Sequence, residues 1–190
     1  MGIAMTLKKD VLEIRLSGTG GQGMILAGII LGEAAAIYDD LHALQSQSYG
    51  PEARGGASKS EILISDHDID YPRVTKPDLL LALSQRACDT YIKDLDKDSV
   101  LLVDSIRVKR LPENPSYKVY KIPFSNISRE ITGREITTNI VALGAVNEIL
   151  KAVSFESLEK SLMTKVPRGT EEMNRKSLYA GAEAVKNYKD

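Results

Sequence analysis

The chain has 190 residues, which is long enough for one domain with a buried core. Its 25 Lys and Arg residues nearly balance its 26 Asp and Glu residues, and the resulting net charge of −1 gives no support to nucleic-acid binding. The single cysteine, Cys88, excludes an internal disulfide and an iron–sulfur cluster held by this chain alone, and it suits a cytoplasmic protein.

The apolar segments of the sequence are too short to cross a membrane. The longest, residues 24–32, ends at Glu33 and falls short of the roughly 20 residues that a transmembrane helix needs. Lys8 and Lys9 precede no apolar core of the kind that marks a signal peptide. The sequence therefore predicts a cytoplasmic protein with no membrane partner.

The first predicted elements are a strand, a glycine-rich loop and a helix. Residues 11–16 alternate between apolar and charged side chains, which is typical of a strand. The loop at 18–23 follows, and a helix that is apolar nearly all round is predicted from about 22 to 38. Gly28 and Gly32 share a face of this helix, so we expect both to let it approach a sheet closely.

Strands and helices alternate along the rest of the chain. Further strands are predicted at 58–65, 78–83, 99–104 and 117–122, with a weaker signal at 41–48. Helices are predicted at 85–95, 137–153, 155–166 and 171–188. This alternation predicts an α/β fold, a single three-layer domain over residues 1–190 with a mainly parallel sheet and a helical C-terminal third.

The loop between the first strand and the first helix matches the pattern G-x-G-x-x-G. Its glycines allow a tight turn, and the helix N-terminus offers N–H groups and a partial positive charge to an anion. A tight turn without a ligand is the alternative. A dinucleotide site needs an acidic residue at the end of a second strand, whereas Asp39 and Asp40 end a helix, which counts against NAD. No Gly-Lys-Ser/Thr follows, so this is not a P-loop.

A second cluster, SYGPEARGG at 48–56, combines a rigid proline turn, a carboxylate, a guanidinium and two glycines. Arg54, followed by Gly55 and Gly56, would present its fork to a phosphate or a carboxylate. An exposed hairpin end with an ordinary surface arginine explains the composition equally well.

The titratable residues indicate no self-sufficient catalyst. Neither of the two histidines, His42 and His67, lies in a recognisable base arrangement, and the sequence has no G-x-S-x-G elbow. A structural thiol explains Cys88 better than a nucleophile does. We therefore predict no catalytic residue and no metal ligand in this chain.

The ordered set of motifs resembles the gamma subunits (or gamma-type domains) of the 2-oxoacid:ferredoxin oxidoreductases. The resemblance is carried by GTGGQG at 18–23, SYGPEARGG at 48–56, SEILIS at 60–65 and YPRVTKPDLLLAL at 71–83. It extends through LLVDS at 101–105, TNIVALGA at 138–145 and EEMNRKSLYAG at 171–181. The form SYGPEARGG is most similar to the 2-oxoglutarate branch of that family.

The resemblance implies a subunit of a larger enzyme that is not active alone. In this family the complex decarboxylates a 2-oxo acid on thiamine diphosphate, passes electrons through iron–sulfur clusters to ferredoxin and releases an acyl-CoA. This chain has no thiamine diphosphate motif and no cysteine cluster. We therefore expect thiamine diphosphate, magnesium and the clusters on alpha, beta and ferredoxin-like delta partners, and CoA at the subunit interface.

The resemblance also implies where this chain meets CoA or a partner. We expect an apolar interface near residues 49–56 and the first helix. The candidate cofactor-binding residues are Gly18, Thr19, Gly20, Gly21, Gln22, Gly23, Tyr49, Arg54, Gly55, Gly56 and Asn139. Asn139, which opens a predicted helix, is either a ligand contact or a cap.

Three alternatives remain open at this point. The first is a subunit of the related indolepyruvate ferredoxin oxidoreductase. The second is a nucleotide-binding regulatory module that takes no part in turnover, and the third is an independent NAD dehydrogenase.

Overall fold

The computed structural model describes residues 9–49 and 57–189. Its strands are β1 (Val11–Thr19), β2 (His42–Tyr49), β3 (Ala57–Ser65), β4 (Leu79–Ala82), β5 (Val100–Asp104) and β6 (Lys118–Ile122). Its α-helices are α1 (Met24–Glu33), α2 (Gln85–Tyr91), α3 (Phe124–Thr132), α4 (Thr138–Leu150), α5 (Phe155–Lys165) and α6 (Glu171–Lys186). No helix in these ranges is long and apolar enough to span a membrane.

Within the described residues the strands form a six-stranded sheet in the order β2-β3-β1-β4-β5-β6. Strands β1, β4, β5 and β6 run parallel, whereas β3 runs antiparallel to both β1 and β2. The predicted α/β fold with a mainly parallel sheet is confirmed, and so is the weakly signalled strand at 41–48. The carboxyl ends of β1, β4 and β5 consequently lie at one edge of the sheet, where ligands of α/β proteins commonly bind.

Helices cover both faces of the sheet, because the side chains of its buried strands alternate between two cores. Leu79 and Leu81 face the larger core, which includes residues of α1, α4, α5 and α6. Leu80 and Ala82 face a smaller core with α2. Cys88 belongs to this smaller core, where burial raises the pKa of its thiol to about 11, as suits a structural cysteine.

Three predicted helices are shorter than expected by four residues or more, including α4, which spans Thr138–Leu150 rather than 137–153, and one helix was missed. Helix α1 ends at Glu33 and continues as a π-helical turn, Ala34–Tyr38, and α2 ends at Tyr91 before a 3-10 turn, Ile92–Asp94. The missed helix, α3, is short and rich in Ser and Asn, which favour turns. Burial of Phe124, with Ile127 packed against the same core, explains why it nevertheless forms.

Gly28 and Gly32 differ in what they do for the first helix. A Cβ atom at Gly28 would lie 2.1 Å from the Ser60 hydroxyl oxygen, so this glycine allows α1 to approach β3 closely, as predicted. The expectation for Gly32 is wrong, because no described atom outside its own helix lies within 4 Å of a Cβ placed there.

Candidate functional site

The glycine-rich loop makes a tight turn between β1 and α1. Gly21 and Gly23 have φ angles of 88° and 72°, a left-handed backbone that favours glycine. The Gln22 amide closes the turn by donating to the Thr19 carbonyl at 3.2 Å. Gly20 is exposed, and no described atom lies within 4 Å of a Cβ placed on it. The loop therefore presents its backbone at the carboxyl end of β1.

The Gln22 side chain holds the loop in this conformation. Its Oε1 accepts from the Thr19 amide at 2.7 Å, and its Nε2 donates to the Leu83 carbonyl at 3.2 Å, just beyond β4. A Cβ at Gly18 would lie 2.5 Å from the same Oε1, so glycine at 18 leaves room for this side chain. Gln22, predicted as a binding residue, thus bonds to the protein backbone through both ends of its amide.

Asn139 joins the start of α4 to the start of α1. Its Nδ2 donates to the Gly23 carbonyl at 3.3 Å, and only 7% of the residue is exposed. A Cβ at Gly23 would lie 2.4 Å from that Nδ2, so a larger residue at 23 would displace the Asn139 side chain. The structure therefore brings the predicted Asn139 to the predicted loop, with two helix N-termini close together.

These helix N-termini open into a cavity of about 520 Å³ at the carboxyl edge of the sheet. Its lining residues are Gly21, Gln22, Gly23, Leu26, Arg107, Glu135, Ile136, Thr138 and Asn139. None of the described side chains caps α1, and its first turn carries no acidic residue. The N–H groups of that turn are therefore available to an anion.

Two charged residues of the cavity, Arg107 and Glu135, were missed by the sequence analysis. Arg107 follows β5, and the outer Nη2 of its guanidinium donates to the Glu135 carboxylate. Arg129 of α3 donates to the same carboxylate. The hydrogen bond from Arg107, followed by the charges of both arginines, lowers the pKa of Glu135 and keeps this carboxyl ionised.

The segment after β2 was the second predicted cluster. Tyr49, the last residue of β2, pairs with Ser58, which pairs with Gly18, so the Tyr49 backbone is at the same edge of the sheet as the loop. Arg54, Gly55 and Gly56 lie outside the described residues. Their proposed binding roles remain predictions from the sequence.

The carboxylate that a dinucleotide site would need is engaged elsewhere. Asp39 accepts hydrogen bonds from the Ser154 amide at 2.6 Å and from the hydroxyls of Ser154 and Ser157. It thereby caps helix α5 together with the Ser154 side chain. This contact ties the first helical segment to the C-terminal helices and counts further against NAD.

The two histidines lie far from the cavity. His42 begins β2 opposite Ser65, which pairs with Val11 at the amino end of β1, and His67 follows Ser65. Both histidines are therefore at the opposite edge of the sheet from the loop. No group of three or more His, Cys, Asp or Glu residues placed to hold a metal ion occurs in the described ranges.

Comparison with known proteins gives concordant matches over most of the chain. The family model for pyruvate ferredoxin/flavodoxin oxidoreductase matches residues 13–184. A 2-oxoglutarate synthase subunit KorC from Methanocaldococcus jannaschii is 53% identical over 176 residues, which are 92% of this chain and 94% of that protein.

Solved structures share the fold. The gamma subunit of a keto/oxoacid ferredoxin oxidoreductase from Geobacter sulfurreducens has a TM-score of 0.86 at 49% identity, covering 95% of this chain and 99% of its own. A 2-oxoglutarate:ferredoxin oxidoreductase from Magnetococcus marinus, solved with 2-oxoglutarate, coenzyme A and succinyl-CoA, has a TM-score of 0.86 at 22% identity. That match covers 96% of this chain and 32% of the larger one, and at this identity it shows a common fold alone.

Proposed function

The chain belongs to the pyruvate ferredoxin/flavodoxin oxidoreductase family and is a gamma-type oxidoreductase subunit, and we propose that its complex oxidatively decarboxylates 2-oxoglutarate. The observation that carries this proposal is the 53% identity to a 2-oxoglutarate synthase subunit over nearly the full length of both proteins. The products would be succinyl-CoA, carbon dioxide and reduced ferredoxin.

Within this complex we assign the chain a part in binding CoA. The glycine-rich loop, the uncapped N-terminus of α1 and the Arg107 side chain all border one cavity, and this arrangement suits a phosphate group. Thiamine diphosphate, magnesium and the iron–sulfur clusters would belong to alpha, beta and delta partners, since clusters need several cysteines and this chain has one.

Reconstitution tests the proposal directly. The purified chain should turn over no 2-oxo acid, whereas its co-expression with alpha, beta and delta partners should give ferredoxin reduction that depends on 2-oxoglutarate and CoA. Turnover by the chain alone would overturn the subunit assignment. A preference for indolepyruvate would favour that branch of the family, and full CoA-dependent turnover without this chain would favour a regulatory module.

An apolar rim of the cavity predicts where the partners bind. Leu26 and Ile136 line the same cavity and are 37% and 61% exposed, so the proposed ligand site has two exposed aliphatic residues at one place rather than a single one. We expect Ile136→Asp to prevent co-purification with the alpha and beta partners, because a buried, unpaired carboxylate would oppose the interface.

The matched control is Ile37→Asp, in the π-helical turn that follows α1. Ile37 is 69% exposed, so Ile37→Asp introduces the same charge at a similarly exposed isoleucine. Gel filtration of the co-expressed subunits should give the full complex for Ile37→Asp and free gamma chain for Ile136→Asp, with unchanged thermal unfolding of both isolated chains. The reverse result would place the interface beside Ile37.

A further inference from the structure

Among the described residues that line the cavity, Arg107 is the one arginine, and its environment fits a binding role. We propose that Arg107 binds a phosphate group of CoA and that Glu135 occupies its guanidinium until the phosphate arrives. The identity of the ligand rests on the proposed function, whereas the exchange of one anion for another on Arg107 rests on the contacts of these two side chains.

The Arg107 guanidinium is fixed on one side and open on the other. Its Nε donates to the Ser125 hydroxyl at 3.1 Å, and that hydroxyl donates to the carboxylate of Asp104, which is fully buried. The Arg107 side chain is nevertheless 44% exposed and lines the cavity. This buried support orients the fork toward the cavity before any ligand binds, which lowers the entropy lost on binding.

Glu135 is placed to act as a stand-in for the ligand. It is the sole carboxylate among the described residues that line the cavity, and it precedes α4, whose first turn lies beside the loop. Carboxylate and phosphate oxygens accept from an arginine fork in the same way, and helix N-termini attract both. An arriving phosphate therefore competes with an ionised carboxylate for Arg107.

Arg129 favours this exchange because it leaves Glu135 with a cationic partner. It bonds to Glu135 from α3 and is absent from the residues that line the cavity. When a phosphate takes Arg107, Glu135 keeps a cationic partner on the side away from the ligand. A purely structural ion pair between the β5 turn and the α4 entry would instead predict equal roles for the two arginines.

Equilibrium binding of CoA to the assembled complex, measured by calorimetry without 2-oxo acid, tests the exchange. Arg107→Ala should raise the dissociation constant for CoA about 10- to 100-fold, the range for loss of one charge-assisted contact. Glu135→Gln should lower the dissociation constant about two- to fivefold, because it removes a partly exposed competing charge. Arg129→Ala, the matched control, should change it by less than about twofold.

The outcomes separate this inference from the proposed function. Equal weakening by Arg107→Ala and Arg129→Ala, with lowered melting temperatures, would mean a structural ion pair and overturn the inference. Weaker binding by Glu135→Gln would show that Glu135 positions Arg107 rather than competing with the ligand.

A variant of the loop tests the proposed function separately. Gly20→Val would block the approach of a ligand to the loop backbone without contacting any described neighbour. If it weakens CoA binding while Arg107→Ala does not, the loop site stands and the role of Arg107 falls. A wild-type complex that turns over without CoA overturns both.

Discussion

Gly181→Ala is expected to lower the free energy of unfolding by about 3 kcal/mol or more, because α4 and α6 touch through their backbones. A Cβ at Gly181 would lie 1.8 Å from the Val141 carbonyl oxygen, and one at Gly144 would lie 1.9 Å from the Leu178 carbonyl oxygen. Neither carbonyl can rotate away as a side chain would, so the helices must separate. At about 2–4 °C per kcal/mol, thermal unfolding should show a clear fall in melting temperature.

Gly32→Ala is the control for this experiment. Gly32 also lies inside a helix, but no described atom outside that helix is within 4 Å of a Cβ placed on it. Alanine there should raise the free energy of unfolding by about 0.5–1 kcal/mol, since glycine loses more conformational freedom on folding. Equal melting temperatures for Gly181→Ala and Gly32→Ala would contradict the close helix crossing.

The crossing of α4 and α6 also supports the candidate site. Helix α4 carries Thr138 and Asn139 to the cavity, and the residue before it, Thr137, accepts from the Ser177 hydroxyl of α6 at 2.8 Å. Thr137 is also within 3.0 Å of the Ser128 hydroxyl of α3. The position of Asn139 against the glycine-rich loop thus depends on packing far from the loop itself.

The parts of the site that the sequence predicted are those set by local patterns. A glycine-rich stretch between an alternating segment and an apolar helix specifies a turn through backbone conformation, and Gly21 and Gly23 adopt the left-handed geometry expected of glycine. The strands at 78–83 and 99–104 were also predicted from the sequence, because a buried parallel strand is a short continuous apolar run.

The parts that were missed depend on topology. Arg107 looks like an ordinary loop residue in the sequence, and it becomes a site residue only because β5 ends at the same edge of the sheet as β1. A search for charged residues just beyond each buried strand would have found it. Gly144 and Gly181 read as helix interior residues, since their contact joins segments that are distant in the sequence.

Glu61→Leu should produce the other large effect on stability, on the face of the sheet away from α1. The Arg15 Nε and the Lys59 ammonium both donate to Glu61 Oε1 at 2.8 Å, and Arg15 is only 3% exposed. Both cations also lie over the Tyr91 ring. Without the Glu61 carboxylate, Lys59 remains beside the buried Arg15 guanidinium, which keeps one anionic partner, the 31% exposed Asp94 side chain.

Removing one partner of a buried ion pair costs about 3–5 kcal/mol, and because Asp94 still pairs with Arg15 we expect Glu61→Leu to lower the free energy of unfolding by about 3 kcal/mol, the lower end of that range. The double variant Glu61→Leu with Arg15→Met should recover much of the loss, because apolar side chains then fill the same space, the buried guanidinium is gone, and the Lys59 and Asp94 side chains that lose a partner are partly exposed. Chemical denaturation of the single and double variants measures the coupling between the two residues. Glu172→Leu is the control, since Glu172 pairs with Arg175 at a 65% exposed side chain and should change the unfolding free energy by about 0.5 kcal/mol or less. A Glu61→Leu variant as stable as the Glu172→Leu variant would show that Asp94 and solvent together compensate Arg15 and that its ion pair with Glu61 contributes as little as one on the surface.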